Sequence, residues 1–266
     1  MGAETNPLTS AAPGEVPLPR APLVRVIAQV RFSSILAVRQ AEFIAAFQEA
    51  IRADYPILRR EEQRSLFFGP RSVATPESQV IWRFSDGEGA WRVSLTPEFV
   101  ALETTAYSSR SDFIQRMRSI LRAVEDHLRP SIAIRVGLRY IDRLTGRELE
   151  HIGDLVRRDM LGIVNTRLFE HAEHALSDAL FHVPETKEKI RARWGHIPAG
   201  FTVDPHAIEP IEERSWIFDL DMFSTEQRSF EAEALARDLE RFAERIYTLF
   251  RWAVTEEFLC RYGGTP

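Results

Sequence analysis

Hydrophobic and polar residues alternate cleanly from Leu23 onward. Val24, Val26, Ala28, Val30 and Phe32 take every second place, with Arg25, Gln29 and Arg31 between them. A period of two predicts a half-buried strand, because successive side chains on a strand point to opposite faces. The period then lengthens. Phe43, Ile44, Phe47 and Ile51 make a helical stripe that stops at Tyr55-Pro56, since the residue before a proline is pushed out of the helical region. Val80, Trp82 and Phe84, then Trp91, Val93 and Leu95, predict two strands joined by a hairpin at Asp86-Gly87-Glu88-Gly89. Thr96-Pro97 turns the chain into a third strand over residues 99–105. Phe113, Met117, Ile120, Leu121, Val124 and Leu128 share one helical face, with Ser109 placed to cap the start and Pro130 to end it. Residues 131–143 read as a long strand, with Ile132, Ile134, Val136, Leu138 and Tyr140 on one side and Arg135, Arg139 and Arg143 on the other.

The second part is less regular. Residues 151–161 predict a short helix, and residues 168–183 fit a helix and a strand equally. Lys189, Arg191 and Arg193 alternate with apolar neighbours in a strand over 189–194. Trp216, Phe218, Leu220 and Met222 alternate with Ser215, Ile217, Asp219 and Asp221 in another. A long helix over residues 231–257 carries Leu235, Leu239, Phe242, Ile246, Leu249 and Ala253. Their steps of four and three are heptad spacing. Such a stripe serves a helix laid across a sheet, and equally a homodimer through the C-terminal helix. The first use is the commoner.

These elements make an α+β protein: a mainly antiparallel, curved sheet with long helices packed on one face. The order of strands and helices is roughly echoed between residues 23–145 and 146–266, which would be two similar halves of a single domain over 23–266. No βαβ rhythm and no Gly-rich strand-to-helix turn is present, so a dinucleotide fold is not expected. Pro7, Pro13, Pro17, Pro19 and Pro22, without any apolar period, predict a flexible Pro-rich tail over residues 1–22.

Composition changes this picture in one respect. The chain has 266 residues, 27% of them charged, and a formal net charge of −5, yet 32 of its 34 basic residues are arginine. The net charge disfavours a generic polyanion binder, so nucleic acid is not an expected partner. The single cysteine, Cys260, allows no internal disulfide. No apolar run approaches the length of a membrane span, and Met1 to Asn6 lack a basic-then-apolar leader. A cytoplasmic location is the expectation. No cofactor motif is present.

Three groups are candidate chemistry. The first is an arginine face: Arg25, Arg31, Arg135, Arg139, Arg191 and Arg193 all fall opposite apolar rows in three strands. Arginine suits planar recognition of a carboxylate or phosphate, so the face could bind a small anionic ligand or a protein partner. The plainer use is cross-strand ion pairing, for which Asp219 and Asp221 sit on the matching side of their strand. The second is the Asp219-Leu-Asp221 pair. Two carboxylates at i and i+2 can share a metal, with Arg139 as clamp, in an enzyme acting on a phosphoester. The third is Glu170-His171-Ala-Glu173-His174 with Asp178 and His182, which could hold zinc only if the segment were helical. No nucleophile-and-base arrangement accompanies any of them, so an enzyme is the less expected class.

Three stretches carry a resemblance: Ala21-Pro22-Leu23-Val24-x-Val26, the central strand from Arg135 through Leu138-Arg139-Tyr140-Ile141-Asp142-Arg143, and Trp216-Ile-Phe-Asp-Leu-Asp221 followed by a long helix. Together they resemble a sporadically distributed bacterial family of uncharacterised proteins of similar length. The resemblance implies a bacterial source and one continuous domain. It suits an accessory role such as defence or toxin neutralisation, and it carries over no catalytic residue.

Overall fold

The computed structural model describes residues 5–65, 68–69, 72–73 and 77–265. The first part of the chain forms β1 (Leu23–Phe32), α1 (Ala41–Ile51), β2 (Ile57–Ser65), the short β3 (Phe68–Gly69) and β4 (Ser72–Val73), β5 (Glu77–Ser85), β6 (Trp91–Leu95), β7 (Phe99–Thr104), α2 (Arg110–His127) and β8 (Ile132–Leu144). There follow α3 (Gly146–Glu150), α4 (Ile152–Leu155), α5 (Arg158–Leu161), β9 (Ala175–His182), β10 (Lys189–Ile197), β11 (Ser215–Ser224), β12 (Arg228–Ser229), α6 (Ala232–Ala253) and α7 (Glu256–Arg261). The fold is α+β. Ten strands form one open antiparallel sheet in the order β2-β5-β6-β7-β1-β8-β11-β10-β9, with β12 beside β8, while β3 and β4 pair separately. Residues 168–183, which fit two readings, are a 3₁₀ turn at Arg167–His171 followed by strand β9.

The chain divides into two compact units. One holds the residues up to Val26, Gly137–Ser224 and the residues from Glu240 onward; the other holds Ile27–Val136 and Thr225–Leu239. Neither is a contiguous half of the sequence, so the expected halves at 23–145 and 146–266 do not coincide with them.

In the unit of residues 27–136 and 225–239, the predicted apolar rows supply the core. Phe32, Ile44, Phe47, Phe84, Val93, Leu95, Phe113, Met117 and Leu121 are all buried. Phe47 meets Phe84 edge-on at 5.6 Å. The Trp82 indole N–H donates to the Val38 carbonyl at 2.7 Å, which lets a polar atom accompany a large apolar surface inside. Ser109 caps α2 as its spacing predicts, its Oγ accepting from the Asp112 N–H at 3.2 Å. Two features depart from expectation. β2 has no apolar period, because it is an edge strand on which Arg59, Arg60, Glu61 and Glu62 are exposed; Glu61 there pairs with Arg83 at 2.6 Å. Ile132 and Ile134, expected on the buried side of β8, are exposed, so its apolar row is buried only from Val136 onward.

In the other unit, Leu138, Ile141 and Leu144 of β8, Ile190 and Ala192 of β10, and Trp216, Phe218 and Leu220 of β11 are buried. So are Phe242, Ile246 and Leu249 of α6 and Phe258 of α7. Phe250 stacks on Phe218 at 6.2 Å and meets Phe258 edge-on at 5.5 Å. Every member of the α6 stripe, from Leu235 to Ala253, is buried within the chain. The stripe thus serves the first of its two uses, packing inside the fold. The N-terminal stretch also differs from a flexible tail. The Val16 N–H donates to the Tyr247 hydroxyl at 2.8 Å, and the Arg20 N–H donates to the Tyr262 carbonyl at 3.3 Å.

Candidate functional site

The arginines of the predicted face are divided between the two units. Arg31 lies in the unit of residues 27–136, where it pairs with Glu98 at 3.0 Å with both side chains about half exposed. Such a pair contributes about 0–1 kcal/mol. Arg135 belongs to the same unit and is half-buried. Arg25, Arg139, Arg191 and Arg193 belong to the other unit, and there Arg139 and Arg193 converge on Asp219.

The register explains this convergence. In the antiparallel ladder of β10 and β11, Arg193 lies opposite Asp219 and Arg191 opposite Asp221. Cross-strand partners share a face, so the period-two rows bring base to acid. Asp219 is 1% exposed. Arg139 grips it bidentately, Nε to Oδ1 at 2.8 Å and Nη2 to Oδ2 at 2.9 Å. Arg193 donates Nε at 3.0 Å and Nη2 at 2.6 Å to Oδ2. A buried carboxylate thus carries two guanidiniums, and its negative charge holds both forks in fixed orientation.

The remaining end of each fork points to one loop, residues 198–214, which the sequence left unassigned. Arg139 Nη1 donates to Asp204 Oδ2 at 2.7 Å. Arg193 Nη1 reaches the Val203 carbonyl at 3.5 Å, the outer limit of a hydrogen bond. The loop is closed by its own bonds: Gly200 N–H to the Ile211 carbonyl at 2.7 Å, and Thr202 Oγ1 to the Ile208 carbonyl at 2.9 Å. Arg143 adds a bond from Nη2 to the Glu209 carbonyl at 2.9 Å. Burial opposes the charge on Arg139, but the bonds and charge of Asp219, then of Asp204, outweigh it and hold the guanidinium protonated above its ordinary range. Burial would raise the Asp204 carboxyl, yet Arg139 draws it below the usual carboxylate range.

Arg191 stands apart near the sheet edge. It forks onto Asp178 of β9, with Nε to Oδ1 at 2.9 Å and both side chains open to solvent. The bond to Arg191 lowers the Asp178 carboxyl, and the reciprocal bond raises Arg191.

As a metal pair, Asp219 and Asp221 are poorly disposed. Both oxygens of Asp219 accept from guanidinium groups, and Asp221 lies opposite Arg191. Among the described residues no group of three His, Cys, Asp or Glu side chains could hold a metal ion. His171 ends a 3₁₀ turn and His182 ends β9, so the helical spacing required for a zinc site is absent.

Three further buried titratable groups lie outside the candidate groups read from the sequence. Asp142 is 7% exposed, and burial, with a smaller contribution from Asp219, pushes its carboxyl up to about 7. Burial and the same carboxyl, together with Glu148, push the Tyr262 hydroxyl up. His196 is buried against the ring of Phe169, with 4.4 Å between centroids and Nε2 unpartnered. Burial, then Arg214, brings its imidazole down to about 4. No helix among the described residues is long and apolar enough to cross a membrane. Neither a scan against protein-family models nor a search of the curated proteins gives a match for this chain.

Proposed function

We propose that this protein is a non-enzymatic binding protein. It would recognise one anionic group, a carboxylate or phosphate of a small ligand or of a protein partner, at the paired forks of Arg139 and Arg193. The observation that carries this reading is the shared cover: the outward Nη1 of both arginines is held by neighbouring residues of a single loop, Val203 and Asp204. Asp219 fixes the inner ends of both forks and neutralises one of the two charges. With Asp204 in place the cluster is neutral. With Asp204 withdrawn it keeps one positive charge and two aligned N–H donors, the requirement for binding one anion. Asp204 therefore acts as a resident stand-in for the ligand's own anionic group. An accessory role, of the defence or toxin-neutralising kind, is compatible with a protein that binds and performs no chemistry.

The test removes the stand-in. Asp204 is about a quarter exposed, so Asp204→Ala is expected to fold. Phosphate, sulfate and citrate should then raise the melting temperature of the variant more than that of the unaltered protein. Adding Arg193→Gln should abolish the gain. Equal, absent or Arg193-independent responses would overturn the assignment.

A further inference from the structure

The outer side of α6 and α7 already carries an extended peptide, the chain's own N-terminal stretch. Residues 11–18 have no regular structure, and no described residue before Val26 is fully buried. The stretch is held mainly through its main chain. Arg245 Nη1 donates to the Pro7 carbonyl at 2.9 Å and the Ser10 carbonyl at 2.8 Å. The Tyr247 hydroxyl accepts from the Val16 N–H at 2.8 Å and donates to the Gly14 carbonyl at 3.2 Å. Arg251 Nη1 donates to that carbonyl at 3.3 Å and braces the Tyr247 hydroxyl at 3.1 Å. Val16 and Leu18 then press onto Gly264, where an added Cβ would lie 2.6 Å and 2.7 Å from their side chains.

We infer that this surface of α6 and α7 is a receptor for an extended, proline-containing polypeptide segment. Residues 6–20 are its resident ligand, and a like segment of a partner protein displaces them. The chemistry is that of extended-peptide recognition in general. An aromatic hydroxyl and cationic donors read main-chain carbonyls that proline-rich backbone leaves unpaired, and the seating of Val16 and Leu18 against Gly264 sets the register. Proline limits the freedom such a segment loses on docking. The attached stretch competes at an effective concentration of about millimolar, so a partner segment must bind better than the resident one or find it detached.

The experiment uses a chain beginning at Ala21 and a fluorescein-labelled synthetic peptide of residues 5–20, read by anisotropy. The truncated chain should keep the circular dichroism of the full chain and bind the peptide saturably, one to one. Arg245→Ala with Tyr247→Phe should weaken binding roughly tenfold or more, as expected for the loss of several hydrogen bonds. A peptide carrying Val16→Asp and Leu18→Asp should not bind. The full chain should bind the peptide only after Val16→Asp with Leu18→Asp in its own stretch has driven that stretch off. A folded truncated chain that ignores the peptide overturns the inference. A truncated chain that fails to fold passes the decision to the full chain cut after folding. As a check on folding during synthesis, a full chain with a protease site placed before Ala21 is cut after folding. Loss of structure on cutting counts against the receptor, and exchange of the cut segment for labelled peptide counts for it.

Discussion

Replacing Asp142 by asparagine should make stability less dependent on pH, in a direction opposite to ordinary acid denaturation. Asp142 lies in the buried row of β8 that holds Val136, Leu138 and Leu144, and its carboxyl is raised from 3.8 to about 7 because ionisation there is poorly solvated. A carboxyl that binds its proton more tightly when folded stabilises the fold fully below its unfolded pKa. The contribution is lost as pH rises toward the folded value. At about 1.4 kcal/mol per pH unit, the interval from 3.8 to about 7 corresponds to roughly 4 kcal/mol lost between pH 4 and pH 7. Asparagine does not titrate, so it escapes this loss but brings a constant offset from its amide. The diagnostic is therefore the difference in unfolding free energy between Asp142→Asn and the unaltered protein, measured in urea at half-unit steps from pH 4 to 8.5. It should grow in favour of the variant up to about pH 7 and then level off. A difference that stays constant across the series would refute the reasoning, since Asp142 would then not titrate differently in the folded and unfolded chain.

His196 should behave in the opposite sense. Its folded pKa is depressed from 6.5 to about 4, so stability present above 6.5 is lost as pH falls toward 4. His196→Gln should gain roughly 1–2 kcal/mol on the unaltered protein over that interval, after allowance for solvent screening, in the same urea series. Asp219→Ala should cost about 3–5 kcal/mol in urea denaturation, because it leaves two largely buried guanidiniums without their shared counterion. Gly195→Ala should cost about 2–4 kcal/mol, since Gly195 has φ of +136° and an added Cβ would fall 2.0 Å from the Ala175 carbonyl oxygen. Hydrogen exchange should show β9 loosened by that change while β6 and β7 keep their protection.

The legible parts of the protein were those with a strict period. The alternation of β1, β10 and β11 and the stripe of α6 follow directly from geometry that repeats every two or 3.6 residues. The same logic anticipated that Asp219 would face arginines, because both rows are in phase. Asp204 was illegible: it lies in an irregular loop and reaches Arg139 across 65 positions of sequence. β2 was missed because an edge strand rich in Arg and Glu has no buried row to betray it. Asp142 does leave a signal, since it shares parity with Val136 and Leu138, but a charged residue after Tyr140 looks like the end of an apolar row. The N-terminal stretch reads as a tail in sequence because main-chain contacts, such as those to Pro7, Ser10 and Gly14, leave no side-chain pattern.

The loop over the Arg139–Arg193 pair has a consequence in time as well as in charge. If Asp204 must leave before an anion enters, the ligand meets a receptive molecule only in the fraction of time the loop is lifted. Apparent affinity is then the intrinsic affinity multiplied by that fraction. When lifting is slow relative to reclosure and capture, the observed binding rate will rise with ligand concentration and flatten at the rate of lifting. Shortening the side chain at position 204 would then quicken the plateau, and the loop would set the pace of recognition while the arginines set its chemistry.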